Sequence, residues 1–245
     1  MEPEERTSTT ARDRLVASNL VCGYGKRSVL HDVSLSVGVG EVVTILGHNG
    51  AGKTTVLKAL FGLVDLDAGT VTHEGRDISR SSTSARVLGG ISYTPATGSI
   101  FRDLTVRQNL ELGAFTVRDP AVRAERLGQV HGLFPILGDR GNQVAGRLSG
   151  GQQRLLSIGL ALMSGSELLL LDEPSLGIAP SLVQELFATI RELTRTAGIS
   201  VVLVEQNVRA ALPIADHVYY LRTGEILLSE TGAEAAARDD WWELF

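Results

Sequence analysis

The length, composition and charge of the chain exclude several classes of protein. With 245 residues, of which 43% are hydrophobic, the chain can bury a substantial core and suits one large α/β domain. A formal net charge of −5 and the lack of a long basic run argue against a nucleic-acid partner. Cys22 is the only cysteine, so no intramolecular disulfide can form and a reducing compartment is the simpler expectation. No apolar run approaches the roughly 20 residues of a membrane-spanning helix, so we expect membrane association only through partners.

The first half of the chain predicts a tail, a β-rich entry and then a strand followed by a helix. Residues 1–14 are charged and polar and predict a flexible tail. Apolar and polar residues alternate over residues 15–37, which is typical of half-buried antiparallel strands. Residues 41–47 predict a strand that stops at glycine, and helical apolar spacing follows it. Mostly helical patterns over residues 83–140 predict an inserted lobe.

Helices and strands alternate in the second half of the chain. The pattern predicts helices over residues 150–163 and 180–196, strands over residues 167–172 and 199–205, and a last helix near Gln206. Such alternation implies a largely parallel sheet covered by helices. We therefore predict an α/β fold with a largely parallel core, an N-terminal antiparallel β-subdomain and an inserted helical lobe.

A phosphate-binding loop is the first functional motif. Residues 47–54, GHNGAGKT, satisfy G-x-x-x-x-G-K-[ST] between a predicted strand and helix, which an ordinary glycine-rich turn would not require. Its glycines allow successive N–H groups to face phosphate oxygens at a helix N-terminus. Lys53 supplies a positive charge for the β- and γ-phosphates, and Thr54 offers a hydroxyl ligand to Mg²⁺. The residues expected to contact ATP are Gly47, His48, Asn49, Gly50, Ala51, Gly52, Lys53, Thr54 and Thr55.

Two adjacent acids end the strand predicted over residues 167–172. Asp172 can hold Mg²⁺ directly or through water. If the chain turns at the strand end, Glu173 faces the γ-phosphate and an attacking water, which makes it the candidate general base. Taken alone, the pair could equally cap the next helix or face solvent. The phosphate loop favours the catalytic interpretation.

Together with these motifs, LSGGQQR at residues 148–154 resembles the signature motif of ATP-binding cassette (ABC) ATPases. The resemblance covers residues 15–230, and the order of the motifs agrees with it. It implies a P-loop NTPase of ABC type over residues 15–235, with a helical lobe inserted at about residues 83–160 and a C-terminal tail at residues 236–245.

The resemblance also implies how ATP is bound. In this family two ATPase subunits stack head to tail, and each ATP lies between the phosphate loop of one and the signature motif of the other. Residues expected to contact the partner's nucleotide are Ser149, Gly150, Gly151 and Gln152. A serine and two glycines at a helix start do provide exposed N–H donors for an anion. A simple helix cap would account for the serine alone.

Three further positions follow from the motif order. Tyr24 matches the aromatic residue that stacks on adenine in the family, although a lone tyrosine is usually packing. Gln206 occupies the position of the switch residue, commonly histidine, and joins Glu173 and Lys53 in the expected catalytic set. Glutamine can donate a hydrogen bond to the γ-phosphate but cannot take up a proton near neutral pH. Ala96 stands where the family usually has glutamine or glutamate, so we expect slowed or unusually coupled hydrolysis.

The subfamily is indicated by VEQN, DEPSLGIAP and FPILGDRGNQVAGRLSGGQQ, which resemble the shorter ATPase of branched-chain amino acid importers. Implied partners are permease subunits, a second ATPase subunit in a homo- or heterodimer, and indirectly an extracytoplasmic substrate-binding protein, at the cytoplasmic face of the membrane. Urea and amide importers share much of this pattern. The alternatives are the ATPase of another ABC transporter, including an exporter, and a catalytically weakened subunit of a heterodimer.

Two apolar groups remain to be assigned. Phe101, Leu104 and Val106 lie where the family's lobe receives a helix of the membrane subunit, but lobe core is an equal alternative. Trp241 and Trp242 near the C-terminus could occupy a groove on a partner or pack on this chain.

Overall fold

The computed structural model describes residues 13–97 and 99–238. Its strands are β1 Asp13–Tyr24, β2 Arg27–Gly38, β3 Val42–Leu46, β4 Leu66–His73, β5 Arg76–Asp77, β6 Ile91–Thr94, β7 Leu168–Asp172, β8 Ser200–Glu205, β9 His217–Arg222 and β10 Glu225–Thr231. Its α-helices are α1 Lys53–Phe61, α2 Thr83–Leu88, α3 Val106–Gly113, α4 Pro120–Leu133, α5 Pro135–Asp139, α6 Gly150–Met163, α7 Pro180–Ala197, α8 Val208–Ala211 and α9 Gly232–Ala237. Short 3-10 helices are formed by Ala145–Arg147 and Leu212–Ile214.

A four-stranded antiparallel sheet with the order β2-β1-β4-β5 forms the N-terminal β-subdomain. Alternate apolar residues of β1 face inward, as the sequence pattern predicts, and Leu15, Ala17 and Leu20 are buried. β1 begins at Asp13, two residues before the domain boundary expected at residue 15. The remaining residues of the expected tail, 1–12, lie outside the described residues, as do Trp241 and Trp242.

The main sheet has six strands in the order β10-β9-β3-β8-β7-β6. All of its neighbouring strands are parallel except β10, which runs antiparallel to β9. Every residue of β3, β7 and β8 is buried, as expected for strands covered on both faces. The predicted fold class is therefore confirmed. The strands β4, β5, β9 and β10 were not predicted.

The register of the parallel strands brings their carboxyl ends to one edge. Leu46 at the end of β3 is paired with Glu205 at the end of β8. Asp172 at the end of β7 is paired with Val204 of β8. Parallel strands end at the same edge of a sheet, so the segments that follow β3, β7 and β8 meet there.

The helices of the lobe converge on a single glycine of α6. A Cβ at Gly159 would come within 3.0 to 3.3 Å of Leu110 of α3, Val130 of α4 and Leu137 of α5. The small residue thus allows these helices to approach α6 closely. We propose residues 83–160 as the inserted lobe, and this range includes β6, which pairs with β7 in the main sheet.

A buried arginine closes the C-terminal end of α1. The guanidinium of Arg86 donates hydrogen bonds to the carbonyls of Ala59 and Leu60 in α1 and of Ile78 and Ser79 after β4. The last carbonyls of a helix lack partners within the helix and attract a cation. Arg86 therefore has a structural role, at the end of α1 away from the phosphate loop.

No helix within residues 13–97 and 99–238 has the length and apolar character to cross a membrane.

Candidate functional site

The phosphate loop connects β3 to α1 and is open at its centre. A Cβ added at Gly50 would meet no heavy atom within 4 Å, and φ at Gly50 is +83°. At Gly47 a Cβ would come within 2.3 Å of the carbonyl oxygen of Leu221, so only glycine fits there. Gly52, with φ +107°, is the N-cap of α1 and provides no side-chain hydrogen bond to the first turn. The first N–H groups of α1 are therefore available to an anion.

Lys53 points back into the loop. Its Nζ atom donates hydrogen bonds to the carbonyl oxygens of Gly47 at 2.6 Å and His48 at 3.0 Å. Burial lowers the pKa of the Lys53 amine, and the carboxylates of Glu173 and Asp172 oppose this shift. The N–H groups of the loop and this buried ammonium are donors suited to phosphate oxygens, while the two carbonyls hold the ammonium in place.

Asp172 is buried at the end of β7 and accepts two side-chain hydrogen bonds. Thr54 Oγ1 donates to one carboxylate oxygen at 3.0 Å, and Tyr93 OH donates to the other at 3.1 Å. Burial raises the pKa of the Asp172 carboxyl, and these two hydrogen bonds partly counter the shift. Burial likewise raises the pKa of Tyr93, which keeps its hydroxyl a donor. Thr54 and Asp172, expected as metal ligands from the sequence, are thus in contact.

Glu173 adopts an unusual backbone conformation beside Lys53. Its φ of +45° lies in the left-handed region, which costs a residue other than glycine about 1 kcal/mol or more. One carboxylate oxygen, Oε1, lies 4.0 Å from Lys53 Nζ and accepts a short hydrogen bond from Gln206 Nε2. The three residues expected to form the catalytic set are therefore together. The turn of the chain after β7, which the sequence analysis required for Glu173 to act as a base, is present.

Glu205, at the end of β8, fixes the loops that follow β7 and β8. Its buried carboxylate accepts hydrogen bonds from the N–H and hydroxyl of Ser175, both at 2.8 Å. It also accepts from the N–H groups of Gln206 and Asn207, at 3.2 and 3.3 Å. Burial raises the pKa of Glu205, and these hydrogen bonds oppose the shift. Glu205 thereby holds the segments that carry Glu173 and Gln206.

Arg154 connects α6 to the ends of β6 and β7. It donates hydrogen bonds to the carbonyls of Pro95 at 2.8 Å, Ala96 at 2.5 Å and Glu173 at 3.3 Å. Burial lowers the pKa of this guanidinium, and the carboxylates of Glu205, Asp172 and Glu173 oppose the shift. Ala96 takes part only through its backbone.

The signature motif lies at the exposed start of α6. Ser149 and Gln152 form a capping box, in which Ser149 Oγ accepts from the Gln152 N–H and the Gln152 side chain accepts from the Ser149 N–H. Gly150 is exposed, whereas Gly151 packs beneath Leu182. Within the described chain, no hydrogen bond joins these residues to the phosphate loop. Among the described residues, the two predicted nucleotide contacts are therefore not linked by hydrogen bonds.

Tyr24, at the end of β1, is half exposed, with 50% of its surface accessible. The Nζ atom of Lys58, one turn beyond the start of α1, lies 5.8 Å from the centre of the Tyr24 ring. The ring is therefore near α1 and free to contact a ligand.

The donor set fits a nucleotide with Mg²⁺. The open cradle at Gly50, the uncapped start of α1 and Lys53 match the negative charge of phosphates. Mg²⁺ usually takes one or two carboxylates, substrate phosphate oxygens and waters rather than an all-protein cage. Thr54 and Asp172 suit that mode, and the described residues contain no cluster of three or more His, Cys, Asp or Glu that would indicate another metal site.

Sequence reasoning missed Tyr93, Arg154 and Glu205 as parts of this site. Glu205 could have been found, because it is an acid that ends a strongly apolar strand, as Asp172 is. Arg154 lies within the signature motif, but its spacing does not reveal which carbonyls it contacts. Tyr93 had no signal in the sequence beyond its place at a strand end.

The fold and the site define a P-loop nucleoside triphosphatase: a phosphate loop after β3 faces an acidic pair after β7 on a parallel sheet. Residues 30–176 match the family described as "ABC transporter". The chain belongs to this family.

Similar proteins and structures agree. The "High-affinity branched-chain amino acid transport ATP-binding protein BraG" of Pseudomonas aeruginosa is 44% identical over 86% of this chain and 89% of its own length. The "Lipopolysaccharide export system ATP-binding protein LptB" of Haemophilus influenzae is 38% identical over 89% of this chain and 90% of its own length. A crystal structure of the ADP conformation of an ATP-binding cassette of an ABC transporter has a TM-score of 0.85 and 29% identity, covering 95% of this chain and 98% of its own.

The chain is thus a nucleotide-binding ATPase subunit whose ATP hydrolysis is coupled to transport. Membership of this class implies a transporter complex with permease partners and dimerisation, and it implies membrane association only through those partners.

Glu205→Gln should change how stability depends on pH. Because burial raises the folded-state pKa of Glu205, its contribution to stability is fully present below its ordinary pKa, about 4.3, and is lost as pH rises through the folded value. The difference in free energy of unfolding between wild type and Glu205→Gln should therefore favour wild type most near pH 4 and shrink toward pH 8. Denaturant unfolding across this range measures it. Glu192→Gln, on the exposed side of α7, controls for the change in charge, and a difference that grows with pH would contradict the interpretation.

Proposed function

We propose that this chain binds ATP with Mg²⁺ at the carboxyl edge of the main sheet and hydrolyses it to energise an importer of branched-chain amino acids. One observation supports the enzymatic part of this proposal. At one edge of the sheet, Lys53 lies beside Glu173, and Thr54 contacts Asp172. The positive charge that would bind phosphate, the ligands that would bind a metal and the candidate base therefore lie close together in the fold.

The phosphate loop and Lys53 would hold the phosphates. The N–H groups around Gly50 and the start of α1 donate to phosphate oxygens, and Lys53 exchanges its bonds to Gly47 and His48 for the β- and γ-phosphates. Thr54 and Asp172 would hold Mg²⁺. Mg²⁺ held there would supply positive charge that offsets the charge of the phosphates.

Glu173 would act as the general base. Its carboxylate accepts a proton from the water that attacks the γ-phosphorus, while the bond to the β–γ bridging oxygen breaks and ADP leaves. Gln206 donates to that carboxylate and so orients it, and the same amide can donate to the γ-phosphate. Gln206 carries no titratable proton, so it cannot take that proton from Glu173.

A second ATPase subunit would complete the site. Ser149 and Gly150 are exposed at the start of α6, Gly151 follows them and is buried, and Gln152 is engaged in the capping box. These positions, separate from the chain's own phosphate loop, suit contact with nucleotide held by a partner, whether a copy of this chain or a different ATPase. Tyr24 would stack on adenine, because half of its surface is accessible beside α1.

The permease would contact the start of α3. Val106 is fully buried, so this residue belongs to the lobe core and is not available to the permease. Phe101 is 55% exposed, and buried Asn109 holds its backbone by accepting from the Phe101 N–H at 2.8 Å and donating to its carbonyl at 2.9 Å. Phe115, just beyond α3, is 83% exposed. Exposed rings on a rigid support suit a protein interface at the cytoplasmic face of the membrane.

The proposed substrate rests on relatives. Besides the Pseudomonas protein, the "Probable branched-chain amino acid transport ATP-binding protein LivF" of Archaeoglobus fulgidus is 33% identical over 92% of this chain and 95% of its own length. An importer of this kind would also need an extracytoplasmic substrate-binding protein. Lipopolysaccharide export is the second candidate, favoured by the 38% identity to the Haemophilus protein.

Glu173→Gln should abolish turnover but keep ATP binding. Loss of the base should lower kcat at least about 100-fold, because general base catalysis contributes about that much or more. The ATP dissociation constant should change less than about threefold. Phosphate release and equilibrium binding measure the two quantities, and Glu192→Gln is the matched control on α7. Equal turnover of wild type and Glu173→Gln would remove Glu173 from the mechanism.

Ala96→Gln tests the effect of the missing side chain after β6. A glutamine there can reach toward metal and water, so turnover should rise by about two- to tenfold if its absence slows hydrolysis. Steady-state phosphate release with Mg²⁺ and ATP measures it, with Ala96→Leu as a control for added volume. An unchanged rate in Ala96→Gln would contradict the hypothesis that alanine at this position slows hydrolysis.

Transport should depend on this chain and on its base. Cells in which the chromosomal copy carries Glu173→Gln should lose uptake of labelled leucine, isoleucine and valine, because transport is driven by hydrolysis. Uptake of labelled lysine through unrelated carriers is the control. Retained uptake of all three, together with accumulation of lipopolysaccharide at the inner membrane, would favour the export alternative.

A further inference from the structure

We propose that Arg154 is a positioning residue for hydrolysis: it holds the backbone of Glu173 and couples that position to α6 and to the segment after β6. This inference rests on the proposed role of Glu173 as general base. Arg154 reaches the segment after β6 through the backbone carbonyl of Ala96, because the alanine side chain cannot form a hydrogen bond.

The contacts of Arg154 join three segments. Its Nη1 atom donates to the carbonyl of Pro95, and Nη2 donates to the carbonyls of Ala96 and Glu173. The first two follow β6, the third follows β7, and Arg154 itself lies in the second turn of α6. The planar guanidinium presents its donors in a fixed fork, so these carbonyls are held in a defined relative position.

The environment of Arg154 makes these bonds difficult to replace. The residue is only 7% exposed. Within the described chain it forms no ion pair, since its hydrogen bonds all go to carbonyl oxygens. Hydrogen bonds from a charged donor are stronger than those between neutral groups, and these three are part-buried. Truncation would therefore release the three carbonyls together.

Glu173 needs such support because of its backbone. Its left-handed φ of +45° is unfavourable for a side chain with a Cβ. One side of the residue is held by its own N–H, which donates to the Val204 carbonyl at 2.9 Å. The other side is held by Arg154 through the Glu173 carbonyl. Without Arg154 the carboxylate would be free to move away from Lys53.

The same arginine connects the base to the lobe. Ser149 begins the helix that carries Arg154, and Gly159 of that helix packs against α3, α4 and α5. A shift of α6, when Ser149 meets the nucleotide of a partner, would therefore move the carbonyls of Ala96 and Glu173 as well. In this chain the connection runs through backbone atoms, because Ala96 offers no polar side chain.

The test compares Arg154→Gln and Arg154→Lys with Arg86→Gln in the full-length chain. Arg86 is the matched control: it is also buried, and it also donates to backbone carbonyls, but at the far end of α1. We expect Arg154→Gln to lower kcat about 10- to 100-fold with KM for ATP changed less than about threefold, because misplacing a catalytic group by about 1 Å costs up to 100-fold. Arg154→Lys should retain an intermediate kcat, since an ammonium can hold only part of the fork. Arg86→Gln should keep kcat within about twofold at a temperature where all variants are folded.

Amide hydrogen exchange gives a readout that does not depend on activity. Arg154→Gln should speed exchange in peptides that span residues 95–97 and 173–176 and leave peptides of α1 unchanged. Arg86→Gln should show the reverse pattern, with faster exchange at the end of α1 and after β4.

The outcomes separate this inference from the proposed function. If Arg154→Gln and Arg86→Gln lower kcat equally, or if exchange at residues 173–176 is the same in Arg154→Gln and wild type, the positioning role is wrong. If Glu173→Gln turns over as fast as wild type, the proposed base is wrong. The exchange data then decide alone whether Arg154 holds this backbone.

Discussion

The parallel register of β3, β7 and β8 is the constraint on which the rest of the site depends. Pairing of Leu46 with Glu205 and of Asp172 with Val204 brings three strand ends to one level of the sheet. Each strand is apolar on both faces, and a slip in register would move carboxylates into the core or remove them from the phosphate loop. The buried aliphatic strands thus determine where the polar chemistry is located.

The charges gathered at this edge are the reason for proposing a divalent cation there. Lys53 and Arg154 are buried cations, and they stand near the three carboxylates of Asp172, Glu173 and Glu205. Burial disfavours each charge, as the directions of the pKa shifts of Lys53, Asp172 and Glu205 indicate. The triphosphate of ATP would add further negative charge. A site with this balance suits Mg²⁺, which would be held by the Asp172 carboxylate and by phosphate oxygens.

Rigid support surrounds the groups that are proposed to react. Glu205, at the end of β8, holds the loops after β7 and β8 by accepting hydrogen bonds from their N–H groups. Arg154 of α6 holds Glu173 by donating to its carbonyl. The signature motif has a capping box that fixes the start of α6. The proposed second ATPase subunit would complete the site at the exposed start of α6.

Local patterns were enough to determine the motifs and the class of fold. The phosphate loop needs glycines and a lysine at set spacing between a strand and a helix, so the sequence by itself determined Gly47 to Thr54, and the end of an apolar strand marked Asp172 and Glu173. The boundaries of α6 and α7 also followed from apolar spacing and from helix-start residues. Strands β4 and β10 were missed because they are largely exposed or half-buried and so have weak patterns. Strand β9 pairs with β3, which is far from it in sequence, so its place in the sheet had no local signal. Only the tertiary structure decided the roles of Tyr93, Arg154 and Glu205, since each acts through a contact with a residue far along the chain. Hydrogen bonds of that kind depend on how strands and helices pack together, and no local pattern of side chains encodes that packing.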